Sequence, residues 1–338
     1  MAATFTEREP YEKGFAEIFD RMIAPKFDDL EIERVKLYGE RRRRIIITIA
    51  GTALVAVLLT IVVATLPSGS LKKIADFVVF IVVLPTLLAG YGGYHWIKKI
   101  QAGHRESLRG VIVEAVCEFF GDLEYVREPG DRFDHKRFIS LGVIGRGSWA
   151  RCEDLFIGRH RDTDFKMIDA HVQVRSNRST HTVFDGLLFE IGVPANFSGR
   201  VIMGRDGGAV GNALKGFFKD KFGKEKRITF QHAAFEERYE VYASDPDEAY
   251  RLVTPGLCDT MVALADAHDE KSLGAAFVDG AFLLAVPVSG DLFEPGSIKL
   301  SVHDCEDDIH TFLEQLTTAH RVIGYLHGDH REAGEDGP

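Results

Sequence analysis

The chain has 338 residues, of which 45% are apolar and 27% charged, a composition that belongs to a folded protein with room for about two domains. Acidic side chains number 51 against 41 basic ones, for a net charge of −10, and between Ser301 and Pro338 nine acidic residues meet only Arg321 and Arg331. No broad basic field is present of the kind that neutralises a phosphate backbone, which argues against nucleic-acid binding.

The first segment, Tyr11 to Ile23, places Phe15, Ile18, Phe19 and Met22 at helical spacing, and Pro25 is expected to break or kink that helix. A second helix from about Phe27 is expected to run unbroken into "RRRRIIITIAGTALVAVLLTIVVATLP" (41–67). No charge interrupts Ile45 to Leu66, and about 20 such residues cross a bilayer core as a helix. A second apolar run, "FVVFIVVLPTLLAGYGGYHWI" (77–97), comes after only "PSGSLKKIAD" (67–76). So short a link predicts two neighbouring antiparallel membrane helices; a buried core pair is the bland alternative. The first run starts too late and is too long for a cleaved signal peptide.

Positive charge is retained on the cytoplasmic side of a membrane helix. Lys36 and Arg41 to Arg44 flank the first run, Lys98, Lys99, Arg105 and Arg109 lie beyond the second, and the loop between holds Lys72 and Lys73. Both termini are therefore expected in the cytoplasm, with Tyr91, Tyr94 and Trp96 at the inner interface of a multi-pass inner-membrane protein. Neither hydrocarbon span contains an acidic or basic side chain, which weighs against an ion or proton path. Gly90, Gly92 and Gly93 allow close helix approach or soften the helix end. Cys117, Cys152, Cys258 and Cys305 are widely spaced, with no CxxC pair, and are expected as free thiols in a reducing compartment.

The helix after the second run is expected to continue from Ile97 to Phe120 on a stripe of Leu108, Val111, Ile112, Ala115, Val116 and Phe119, with Gly121 as C-cap. Beyond about residue 135 the pattern turns to strands: 138–145, 154–160, 169–176, 181–193, 199–206, 227–232 and 238–244. "AHVQVR" alternates apolar and polar as a half-solvated strand does, and short links imply an antiparallel sheet. Asp245, Pro246 and Glu248 make a capping box, and Thr254 with Pro255 restarts the helix. The pair Asp279-Gly280 predicts a type I′ hairpin within 275–286. A last helix from about Cys305 to Leu326 turns Ile309, Phe312, Leu313, Leu316 and Ile323 inward, and the tail from 328 reads as disordered.

Four stretches, "EDLFIGRHRDTDFKMIDAHV" (153–172), "VFDGLLFEI" (183–191), "FEERYEVYASDPDEAYRLVTPGLCDTMVAL" (235–264) and "AAFVDGAFLLAVPVSGDLFEP" (275–295), resemble an uncharacterised bacterial membrane family known only as a domain of unknown function. The resemblance runs over nearly the whole chain, most specifically at the Asp-Pro-x-Glu-Ala-x-x-x-x-Thr-Pro spacing and the Asp-Gly hairpin. It implies two N-terminal membrane helices and a cytoplasmic α+β domain, and it brings no catalytic residues, cofactors or substrates.

The distinctive soluble stretch is "GRDGGAVGNALKGFFKDKFGKEKR" (204–227). It lacks the Gly-Lys-Ser/Thr ending of a phosphate-binding loop. Leu214, Phe217, Phe218 and Phe222 recur at helical spacing among Lys215, Lys219, Lys221, Lys224, Lys226 and Arg227. Such a basic amphipathic helix lies on anionic lipid or on a partner, or else packs its aromatic face into the core. Lys215, Phe217, Phe218, Lys219, Lys221 and Phe222 are the candidate surface. "SVHDCEDD" (301–308) and "HGDH" (327–330) collect His, Cys and Asp without a recognised metal spacing, and acids at a helix start complement its dipole. His171 alternates away from the apolar face and is expected on the surface or in a hydrogen-bonded wall. Ser148 and Ser198 lack the setting of an exposed nucleophile.

The sequence thus predicts an α+β protein. Cytoplasmic helices span 1–44, a transmembrane hairpin 45–97, a helical connector 98–134, a mainly antiparallel sheet domain 135–327 and an acidic tail 328–338. Its expected role is a non-enzymatic binding or scaffold module acting on a protein partner or the membrane surface. No cofactor or metal is expected, and homo-oligomerisation is left open. A membrane-tethered enzyme and an oligomeric transport component are the alternatives.

Overall fold

The computed structural model describes residues 4–65, 83–176, 179–205, 226–268, 273–288, 293 and 295–327. Helix α1 (Phe15–Ile18) passes through a π-helical turn at Phe19–Ile23 into α2 (Ala24–Ala64). Of the break or kink expected at Pro25, there is no break; a π-helical turn stands just ahead of it instead. Its ring would press on the carbonyl four residues back, and the wider turn just ahead of it makes room. That turn also changes which residues align. Phe15, Phe19, Ile23 and Phe27 are buried, whereas Ile18 and Met22 are only half-buried. A spacing of four drifts around an ordinary helix by about 40° per step, and a turn of more than four residues takes the drift back. At 41 residues α2 is about 60 Å long.

Helix α3 (Leu84–Phe120) buries Leu108, Ile112, Ala115 and Val116 as the stripe predicted, and adds Val113 and Arg109. Gly121 closes it in the left-handed region, its N–H donating to Cys117 O at 3.0 Å. The next element, β1 (Leu123–Val126), has too little alternation to show in the sequence. "FISLGVIG" then departs from expectation. It is not a strand: α4 (His135–Leu141) is capped by the Asp134 side chain, which accepts from Lys136 N, and closed by the left-handed Gly142. With those two stops, Phe138 and Leu141 fall one helical turn apart and both are buried.

The strands continue as β2 (Trp149–His160), β3 (Thr163–Arg175), β4 (Thr180–Gly192) and β5 (Val201–Arg205). After β6 (Lys226–Ile228), short α5 (Ala233–Glu236) and β7 (Tyr239–Ala243) come α6 (Pro246–Leu252) and α7 (Pro255–Ala267). Strands β8 (Gly274–Val278) and β9 (Ala281–Pro287) form the expected hairpin, and α8 (Glu306–Leu326) ends the described chain. Among the described residues the strands make one nine-stranded sheet in the order β1-β2-β3-β4-β9-β8-β5-β7-β6, every pairing antiparallel. Asp245 and Thr254 cap α6 and α7 as read from the sequence. Glu248, expected to complete the capping box, instead accepts from Ser198 N at 3.1 Å and Gly199 N at 2.6 Å, holding the approach to β5.

Two compact units emerge: residues 1–5, 19–112 and 294–309, and residues 6–18, 113–293 and 310–338. In the second unit both sheet faces are covered. One face presents Ile168, Ala170, Val172, Leu188, Ala276 and Leu283 to Phe138, Leu141, Val143 and Ile144. On the other, Phe156 meets Phe293 and Phe312, and Tyr239 donates to Met261 O at 3.0 Å.

Two glycines carry the sheet's tight places. At Gly280, with φ +75° beside Asp279 at +50°, the type I′ turn has open space around it. At Gly186, with φ +150°, a Cβ would sit 2.2 Å from Val286 O of the neighbouring strand. We expect Gly280→Val to cost about 1–2 kcal/mol from backbone strain alone. Gly186→Ala should cost about 3 kcal/mol or more, because backbone atoms cannot yield to the methyl. Urea unfolding of the two variants would reverse this ranking if the register were wrong.

Candidate functional site

In the first unit, α2 keeps large apolar side chains in the open from Ile46 onward. Ile47, Ile49, Leu54, Val57, Leu58 and Ile61 are each about half exposed, and no residue of its apolar window is buried. Helix α3 exposes Leu84, Leu87, Leu88, Tyr91, Tyr94 and Trp96 in the same way. A contiguous apolar surface of this size is not left to water by ordinary soluble domains. Among the described residues one helix, the N-terminal one, is long and apolar enough to cross a membrane. Residues 77–82, which open the second apolar run, lie outside the described residues.

Helices α2 and α3 are antiparallel neighbours. Arg44 donates to Trp96 O at 2.9 Å and lies 4.5 Å over the Trp96 ring, while Thr48 packs against Gly93. A Cβ at Gly93 would fall 2.1 Å from Thr48 Cγ2, so this glycine makes the close approach. Gly90 and Gly92 have nothing within 4 Å of that position. Further down α2, the Glu31 carboxylate accepts from Val302 N at 2.9 Å, Ser301 Oγ at 3.3 Å and Arg34 Nε at 2.8 Å, and Arg34 donates to Ile298 O at 3.0 Å. The Arg34 hydrogen bonds hold the Glu31 carboxyl down to about 2. "SVHDCEDD" thus supplies the ligands of a helix clamp. Among the described residues no group of three or more His, Cys, Asp or Glu is gathered for a metal.

In the second unit the exposed ends of β2, β3 and β4 build a polar row on one sheet face. His171 Nδ1 donates to Asp185 at 2.8 Å across the β3–β4 register. Its Nε2 lies 2.7 Å from the Gln173 amide nitrogen. Trp149 stands edge-on to His171, and Arg175 lies 4.0 Å over the Trp149 ring. Arg151 pairs with His171 in register, and Ser148 Oγ accepts from Arg175 N at 2.8 Å. Both ring nitrogens of His171 are occupied, and the Ser148 oxygen serves the backbone. The row presents a fixed donor and acceptor pattern. Alternation in "AHVQVR" shows that His171 and Gln173 share a face. Asp185 and Trp149 join them only through cross-strand register, which one sequence does not show.

At a bulge in β2, Asp154 is buried at φ +55°, bonded to the Tyr125 hydroxyl and to Arg127 at 3.0 Å. Burial pushes its carboxyl up to about 6, against the opposing pull of Tyr125 and Arg127. All four cysteines are free, as expected. Burial pushes Cys117 up to about 11 and Cys152, Cys258 and Cys305 to about 12, so none is a thiolate nucleophile near neutral pH. The candidate residues Lys215, Phe217, Phe218, Lys219, Lys221 and Phe222 lie outside the described residues, as do 328–330 of "HGDH".

Residues 182–327, from β4 to the end of α8, match the family described as "Protein of unknown function (DUF3137)". No curated protein matches the chain. The crystal structure of the mycobacterial trehalose monomycolate transport factor A, TtfA, aligns with 63% of this chain and 93% of its own at 12% identity, with a TM-score of 0.31. A likeness that loose carries no argument about fold or function.

Two outcomes are expected from this geometry. Glu31→Gln should destabilise the first unit by about 2 kcal/mol, the scale of a lost charge-assisted network. In the wild type that contribution is present above the ordinary glutamate range and lost as pH falls from about 4.5 towards 2; acid titration of thermal unfolding, absent in the variant, checks it. At the bulge, Asp154→Asn should cost no more than about 1 kcal/mol, because asparagine tolerates positive φ and keeps an acceptor for Tyr125. Asp154→Val should cost about 3 kcal/mol or more, by strain and by stranding Tyr125 and Arg127. Equal midpoints in urea for the two substitutions would refute this account.

Proposed function

We propose that this chain is a membrane-anchored binding module. Helices α2 and α3 enter the bilayer as a two-pass hairpin, and the sheet unit lies in the cytoplasm beside both termini. The observation that supports the reading is the open apolar surface of α2 from Ile46 to Ile61, continued on α3 from Leu84 to Trp96. Burying it in lipid recovers roughly 25 cal/mol for every Å² taken from water. Backbone groups inside helices are already satisfied, so lipid adds no polar cost there. Arg41 to Arg44 and Lys98, Lys99 and Arg105 stand at the same end of the antiparallel pair, where the cytoplasmic leaflet would hold them.

Binding, in this reading, uses the polar row at Trp149, Arg151, His171, Gln173, Arg175 and Asp185. Capped imidazole nitrogens and protonated thiols favour recognition over catalysis. Lys215, Lys219 and Lys221 with Phe217, Phe218 and Phe222 would add a second contact, to anionic lipid or to the partner. The enzyme and transport readings find no comparable support.

Topology tests the proposal. After alkaline extraction the protein should remain in the membrane pellet. A reporter active only in the cytoplasm should work when fused behind Pro338, and one active only outside should fail. Replacing Arg41 to Arg44 by serine should lower the fraction in this orientation. Release into the alkaline supernatant would remove the anchor, and an active external reporter would reverse the assigned side.

A further inference from the structure

The end of α8 meets the β2–β3 hairpin through two imidazoles. His320 and His160 stack with ring centroids 3.9 Å apart and planes 10° from parallel. Phe120, from the last turn of α3, and Phe165, from β3, stand at near right angles to the His320 ring at 5.0 and 5.6 Å. Near the end of α8, His327 Nε2 is 2.7 Å from Thr163 Oγ1. The charged and titratable groups facing the stack are few. His320 faces His160; His160 also faces Arg161 of the β2–β3 turn and His327 just past α8. None is a carboxylate, so among the described residues nothing is placed to stabilise an imidazolium.

We propose that the His160–His320 stack is a proton-sensitive latch, holding the last turns of α3 and α8 on the β2–β3 hairpin while both rings are neutral and releasing them when a ring takes up a proton. Each ring covers one face of the other, and Phe120 and Phe165 pack hydrocarbon against His320. A proton on either imidazole would have to remain there without a counter-charge, beside Arg161 and a second imidazole. Opening the latch is how it reaches water.

Burial pushes His320 down to about 3, with His160 adding to the effect, and burial also lowers His160. Both shifts favour the neutral folded form. An opened histidine takes up a proton below about 6.5, and the closed one does so only near 3. Protection by the latch is therefore full above about 6.5 and lost progressively as pH falls below it.

The test uses the full-length protein in detergent. Amide exchange at Phe120, Gly121 and residues 319–326, corrected for intrinsic rates, reports opening. Between pH 7 and pH 5 the opening constant should rise about 25-fold in the wild type, the factor expected for one imidazole protonated only when open. His320→Phe keeps a stacking ring that cannot be protonated, and it should cut the rise over the same range to the smaller share that His160 contributes, while the double variant with His160→Phe should hold protection constant. His160→Phe, at the half-buried strand end, serves if His320→Phe does not fold. Ring-proton NMR of the wild type should show no His320 titration down to pH 5 while the fold persists. The latch is refuted if His320 titrates near 6.5 with protection intact. It is equally refuted if wild type and the phenylalanine variant open alike with pH.

Discussion

The close approach of α2 and α3 at Thr48 and Gly93 is the constraint on which the first unit depends. A helix closes its own hydrogen bonds, so a single one tolerates water or lipid equally. Setting two side by side at this distance requires a missing side chain, and Gly93 supplies it. One turn away, the Arg44 guanidinium rests on the Trp96 ring and carbonyl and pairs with Glu40. The point where the helices touch and the point where the apolar run of α2 meets its first charge are thereby set by the same few residues. Further along α2, Glu31 and Arg34 hold the backbone of Ile298 and Val302, so the segment leading into α8 is fastened to that same helix.

In the second unit several polar and titratable side chains are engaged by their surroundings. Its thiols are held protonated by burial, its strained aspartate is bonded to a phenol and a guanidinium, and His171 has both ring nitrogens engaged. Each of these groups is a familiar beginning of an active site. Here each is engaged by a partner or by burial.

What the sequence made legible depended on how local the determining physics was. The long uncharged run, the Asp279-Gly280 turn, the Asp245 and Thr254 caps and the inward face of α8 are set by neighbours within a few residues, and all stand as read. "FISLGVIG" misleads because a short apolar run suits a strand and a buried helix equally; the deciding signals, Asp134 and Gly142, lie at the margins of the apolar residues. Glu248 is a helix-cap residue by spacing and a loop anchor by contact, since Ser198 and Gly199 come near only in the folded sheet. The same holds for the polar row, where Asp185 and His171 are fourteen positions apart and become partners through register.

The π-helical turn at Phe19–Ile23 makes the helical phase of the N-terminal segment depend on a single residue. Such a turn is an ordinary helix with one residue too many. Wound as regular helix, the same five residues would carry the chain about one residue's rotation, roughly 100°, further. The wider turn takes up that rotation inside itself, so the chain gains a residue with little change of phase. In this stretch the winding of the backbone specifies packing as firmly as side-chain identity does.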